Sequence, residues 1–166
     1  MDVDYFRVSD EITGSSQGEE SALAATMSAT EEISGVINSE AEVNVYLDAL
    51  TADNHSSLKA SISIPEMLTV EDVVFNANAI SGNTEYSYKN NRLVLSVTGE
   101  NVTFTADDKL FATVKCKLNR YVSKDETVSV RADYVMADNG KTDYDVTAAE
   151  CAIALKYLDT RALAKE

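Results

Sequence analysis

Between Leu58 and Ile64 the chain keeps a two-residue rhythm, with Leu58, Ala60, Ile62 and Ile64 apolar and Lys59, Ser61 and Ser63 polar between them. A period of two is the signature of a strand with one face in a core and the other in solvent or against a partner. The rhythm recurs in Val43, Val45, Leu47 and Ala49 of Glu42–Leu50, in Leu93, Leu95 and Val97 of Arg92–Thr98, and through Leu110–Leu118. Pro65, the only proline, ends the first of these ladders because it has no N–H to donate. Thr84–Lys89 and Arg92–Thr98 flank Asn90-Asn91, and asparagine tolerates the positive φ that a two-residue hairpin turn requires. Met67–Phe75, Val102–Thr105, Thr127–Met136 and Tyr144–Leu155 read as further strands, with Thr51–Ser57 a loop and Ala77–Asn83 a turn-rich connection. Leu23–Ile33 fits a helix by its alanines and glutamates, and equally a strand by Thr26, Ser28 and Thr30 at every second position. About nine strands with no long helical pattern between them indicate an all-β fold, a β-sandwich or jelly roll.

At 166 residues there is material for one well-packed domain. Residues 1–22 are polar and acidic, and Gly14-Ser15-Ser16-Gln17-Gly18-Glu19-Glu20 reads as a linker to a neighbouring module. Residues 23–155 then form the β-sandwich, and 156–166 are a helical turn or two or the start of another linker. No stretch approaches the roughly 20 apolar residues of a membrane span. Met1-Asp2-Val3-Asp4-Tyr5 is not a basic region leading into an apolar one, so the protein is either cytosolic or a mature piece of something longer, and the linker-like first 22 residues favour the second. The net charge of −14 argues against sequence-independent nucleic-acid binding, which needs lysines and arginines to displace counterions.

Candidate chemistry is sparse. Cys116 shares the inward parity of Ala112, Val114 and Leu118 and reads as a small buried hydrophobe, and a Cys116–Cys151 bridge depends on how close their strands come. Two cysteines and one histidine do not assemble a zinc site. His55 lies in a loop without a nucleophile motif and reads as a solvated residue. The acids Asp107-Asp108 and Asp143-x-Asp145 read as turn residues rather than a general acid and base. Asp138-Asn139-Gly140-Lys141-Thr142-Asp143-Tyr144-Asp145 is rich in oxygen ligands, yet it has glycine at its third position and lacks the twelfth-position glutamate of an EF-hand loop, so it reads as a hairpin turn. The chain is not read as an enzyme, and no metal or cofactor site is expected in it.

The order of the segments resembles the cohesin family, the nine-stranded jelly-roll modules of bacterial scaffold proteins that dock the dockerin modules of secreted enzymes. The resemblance lies in Leu58 to Ile64, Pro65 and Met67-Leu68-Thr69-Val70, in Leu110-Phe111-Ala112-Thr113-Val114, and in Tyr134-Val135-Met136-Ala137-Asp138-Asn139-Gly140. It covers roughly 23–155. Ser63-Ile64 stands where the family usually has tyrosine-aspartate, which marks a divergent group. The resemblance implies a secreted or cell-surface protein-binding module of a multi-enzyme complex, with any calcium carried by the dockerin-like partner. It also implies that the partner lies on the sheet containing the third, fifth and sixth strands. By parity Lys59, Ser61, Ser63, Val94, Ser96 and Thr98 point outward there, and Tyr86 and Tyr88, which share one parity, either join them as interface anchors or fill the core.

Two other readings stay open. Carbohydrate-binding modules share the jelly-roll architecture and use rows of tryptophan or tyrosine against sugar rings, whereas this chain has no tryptophan. A sandwich that merely spaces domains on a cell surface would need no site.

Overall fold

The alternating segments pair into two facing sheets. The computed structural model describes residues 23–51 and 55–159. The expectations for 1–22 and for most of 156–166 lie outside those residues. The described residues form eleven strands: β1 (Ala25–Ala29), β2 (Glu32–Ser34), β3 (Glu40–Leu47), β4 (Ser57–Ser63), β5 (Leu68–Phe75), β6 (Ile80–Lys89), β7 (Arg92–Phe104), β8 (Leu110–Leu118), β9 (Glu126–Ala137), β10 (Thr142–Asp143) and β11 (Glu150–Lys156). One sheet has the order β1-β3-β8-β5, and the other β2-β11-β9-β4-β7-β6 with β10 attached to β9. This is the all-β sandwich that the alternation predicts, with β2 and β10 as short additions to the expected set.

Leu23–Ile33 is strand, not helix, and it serves both sheets: β1 pairs antiparallel with β3, and β2 pairs parallel with β11. The crossing is stitched by Thr30, whose N–H donates to the Glu42 carbonyl and whose Oγ1 accepts from the Glu42 N–H, both at 3.0 Å. The connection assigned to Ala77–Asn83 shrinks to a 3-10 turn over Ala77–Ala79, and β6 begins at Ile80. Val102–Thr105 is not a separate strand but the end of β7, because Gly99-Glu100-Asn101 forms a bulge rather than a turn. Opposite it sits Gly82 at φ 137, where a Cβ would lie 2.5 Å from Val97 Cγ1. Tyr144–Leu155 is broken, since two local turns intervene: Thr147 N–H donates to Asp145 Oδ1 at 2.9 Å, and Ala149 N–H to the Val146 carbonyl at 2.9 Å.

The core lies between the sheets. Leu58, Ala60 and Ile62 of β4, Leu93, Leu95 and Val97 of β7, Val43, Val45 and Leu47 of β3, and Ala112 and Val114 of β8 are all buried. Phe111 packs edge-on against Phe104 and Phe75, with ring centroids 5.4 and 5.8 Å away, a favoured aromatic geometry. Cys116 is buried on β8 and Cys151 half-buried on β11, and both are free thiols. Burial pushes the Cys116 thiol up to about 12 and the Cys151 thiol to about 11, so neither is a ready nucleophile at neutral pH.

Asp48, just after β3, ties three segments together. Its Oδ2 accepts from the Ala24 N–H at 2.8 Å, its Oδ1 lies 2.8 Å from Lys109 Nζ, and its carbonyl accepts from the buried Tyr144 hydroxyl at 2.8 Å. The Lys109 hydrogen bond, with help from Ala24, holds the Asp48 carboxyl below its ordinary value of 3.8. A carboxyl whose folded pKa is depressed stabilises the fold above the unfolded value, and that stability is lost as pH falls through the folded one. Asp48→Asn is therefore expected to lose about 1–2 kcal/mol at neutral pH. Urea denaturation of wild type and variant should show this gap closing as the pH drops below 3.8.

Candidate partner-binding face

β4 is flanked by β7 and β9, so its two sides define the chemistry of the whole sheet. With Leu58, Ala60 and Ile62 in the core, Lys59, Ser61 and Ser63 look outward. Residues directly opposite each other in a ladder share a side. Lys59 therefore stands beside Ser96 of β7 and Met136 of β9, Ser61 beside Val94 and Tyr134, and Ser63 beside Arg92 and Arg131. Adding β6 extends the rows with Glu85 beside Ser96, Ser87 beside Val94 and Lys89 beside Arg92, while Thr98 lies between Asn83 and Ser57. The result is an open four-strand surface, β9-β4-β7-β6, with half-buried Val94 and Tyr134 in its middle row.

Six of the eight residues expected on this face are there: Lys59, Ser61, Ser63, Val94, Ser96 and Thr98. Tyr86 and Tyr88 are not. They pair with Leu95 and Leu93, both fully buried, so the tyrosines point to the core side of β6. Tyr88 packs against the core and donates its hydroxyl to the Leu68 carbonyl at 3.3 Å, whereas Tyr86 remains 40% exposed at the rim. Ser61 is also a correction, because it points outward yet is 0% exposed, walled in by its neighbours.

Sequence reasoning missed the residue that organises one end of the face. A β-bulge in β9, where Ser61 pairs with Tyr134 but Ile62 with Ala132, leaves Asp133 as an extra residue. Ser63 Oγ donates to the Asp133 carboxylate at 2.9 Å, Ser61 Oγ reaches it at 3.5 Å, and the Arg92 guanidinium lies 3.9 Å away. Arg131, Arg92 and Lys89 gather at the same end around Asp133, with Glu150 of β11 directly opposite Arg131, so this corner of the face is densely charged. Between β6 and β7 this corner dips into a hollow lined by Ser87, Lys89, Asn90, Arg92 and Val94.

At the opposite end of β4, His55 is not solvated. Its Nδ1 lies 2.5 Å from Asp138 Oδ2, and the Ser56 N–H donates to Asp138 Oδ1 at 2.6 Å. The His55 hydrogen bond, followed by that of Ser56, holds the Asp138 carboxyl below its ordinary value. This clip fastens the loop before β4 to the 3-10 turn Asp138–Gly140 that follows β9. It is no catalytic triad, because the Ser56 hydroxyl points to the carboxylate, 3.3 Å away, and not to the imidazole. Asp138 is thus committed to His55 and Ser56, Asp145 Oδ1 accepts within its own turn, Asp108 Oδ1 likewise accepts from the Leu110 N–H at 3.0 Å, and among the described residues no group of three or more His, Cys, Asp or Glu converges as metal ligands.

No family model matches the chain, and no curated protein matches it. Solved structures do. A chain of the CaDoc0917–CaCohA2 complex, CaCohA2 being from Clostridium acetobutylicum, superposes with a TM-score of 0.59 at 16% identity, covering 80% of this chain and 100% of that one. The cohesin module of a Clostridium perfringens family 33 glycoside hydrolase gives 0.51 at 14% identity, covering 81% of this chain and 96% of that one. The fold is cohesin-like. The N-terminal domain of the Streptococcus gordonii adhesin Sgo0707 also gives 0.51, at 11% identity, over 81% of this chain and 33% of that one. In this cohesin-like fold, β4, β6 and β7 are the third, fifth and sixth strands of the sequence reading.

The Asp133 cluster has a measurable consequence. Asp133→Ala leaves the buried Ser61 hydroxyl without its carboxylate and should cost about 1–2 kcal/mol. Chemical denaturation of Asp133→Ala, Ser61→Ala and the double variant would show this as non-additive losses.

Proposed function

We propose that this chain is a non-catalytic protein-binding module that docks a dockerin-like helical partner on the outer face of β9-β4-β7-β6. The observation that carries the reading is the face itself: a broad surface on which Val94, Tyr134 and Met136 are half-buried among hydroxyls, with charges gathered at one end. An apolar centre within a polar rim is the anatomy of a specific protein interface. The likeness to a chain from a two-protein CaDoc0917–CaCohA2 complex supports the same reading. Calcium, on this proposal, belongs to the partner, and the setting is an extracellular or cell-surface assembly.

Sugar binding is less well supported, since Tyr86 and Tyr88 lie on the other side of β6 and leave Tyr134 without a row of aromatic neighbours on the flat face. A passive spacer would need no site, and the half-buried Val94 at the centre of an open sheet is easier to explain by a partner than by solvent.

The purified domain, used as bait for secreted proteins of its source organism, should retain dockerin-bearing proteins that a calcium chelator releases. Val94→Asp should abolish that capture with a loss of stability below about 1 kcal/mol, because its side chain faces outward. Retention on polysaccharide with no captured protein, or undiminished capture by Val94→Asp, overturns the assignment.

A further inference from the structure

The two sheets have four lateral edges, and three are blunted. β1 has five residues and is flanked by the Ala24–Asp145 bridge, β2 has three, and β5 is interrupted by a bulge between Val70 and Asp72 that carries Glu71 and Asp72. Short strands, bulges and charges are the usual means of preventing edge-to-edge pairing. Over Asn83–Lys89 β6 is neither short nor bulged, and its only charges are one of each sign, Glu85 and Lys89: its register with β7 is unbroken, it contains no proline, and every residue there except Tyr88 is exposed.

The free hydrogen-bonding groups of this edge can be assigned. Asn90 and Asn91 sit at φ 54 and 64, the two-residue turn whose flanking residues, Lys89 and Arg92, bond to each other. Bonding then alternates along the strand, so Lys89, Ser87 and Glu85 turn their backbone groups to β7. Thr84, Tyr86 and Tyr88 direct theirs to the open side.

We propose that β6 is a pairing surface for a second copy of this chain, joined antiparallel about a two-fold axis at Ser87. That register sets Tyr86 opposite the other copy's Tyr88, and both residues direct their backbone groups across the seam, so four hydrogen bonds form between main chains. On the outer side it sets Glu85 opposite Lys89, twice by symmetry, at the non-hydrogen-bonded positions where side chains come closest. On the inner side it sets the exposed Tyr86 ring beside Tyr88, twice, a cross-strand aromatic pair. Moving the axis to Tyr86 leaves Glu85 facing Ser87, and moving it to Glu85 sets that carboxylate against its own copy. Charge complementarity therefore selects one register and an identical strand as the partner. The pairing is independent of the docking proposal, and it leaves both outer faces on the same side of one continuous sheet.

Sedimentation equilibrium of the whole chain tests this. The mass should rise with concentration from 18.0 kDa towards twice that value. Glu85→Lys and Lys89→Glu, each of which opposes like charges in both symmetric pairs, should each raise the dimer dissociation constant about tenfold. The double variant Glu85→Lys/Lys89→Glu should restore dimerisation. Tyr86→Pro, which removes an N–H from the open edge and none from the bonds to β7, should leave a folded monomer with an unchanged circular dichroism spectrum. A monomer at every concentration, or a dimer indifferent to the charge variants, overturns the proposal, as does a monomer whose partner capture is lost in Tyr86→Pro, which would give the edge to a partner's strand instead.

Discussion

A pleated strand has two sides, and β4 commits each of them to a different task. Its inward side, Leu58, Ala60 and Ile62, is fully enclosed by the opposing sheet, and this burial fixes Lys59, Ser61 and Ser63 on the outside. A slip of one residue in pairing with either neighbour would exchange the two sets, placing a lysine and two serines in the core. The hydrophobic pattern therefore determines the outer surface as firmly as the inner one. Every residue of the candidate face inherits its place from that one alternation, passed to β7 and β6 on one flank and to β9 on the other.

Much of this was legible from sequence because alternation on the central strands is clean. The side taken by Val94 and Ser96 follows directly from Leu93, Leu95 and Val97. The side of Tyr86 and Tyr88 followed too, had the hairpin been counted through: a two-residue turn at Asn90-Asn91 sets Lys89 against Arg92, and hence Tyr88 against Leu93 and Tyr86 against Leu95. Tyrosine is at home on either side of a sheet, so its chemistry alone did not decide between core and interface. Counting register would have decided it.

Other parts were hidden for physical reasons. In β9 the buried set runs Val130 and Ala132, then Val135 and Ala137, a skip that marks the bulge at Asp133. Tyr134 and Met136 are apolar as well, so an unbulged strand fitted the same letters with the opposite sides. The His55–Asp138 and Asp48–Lys109 contacts join residues remote along the chain through loops, where no periodicity announces a partner. Gly99-Glu100-Asn101 looks like a turn because glycine and asparagine serve bulges and turns alike.

The path of β1 and β2 has a mechanical meaning. The chain crosses the fold from Ala24, bridged in parallel to Asp145, to Ser34, which lies parallel to Lys156 at the end of β11. The first and last strands of the body thus run in the same direction, and its two ends lie at opposite poles, about 30 Å apart for ten extended residues. Tension drawn through Leu23 and Leu158 would pull the β2–β11 hydrogen bonds along the strand axis, loading them together in shear instead of opening them one after another. The body would therefore act as a link in series, able to transmit force along its length while its broad outer face, lateral to that line, stays undistorted.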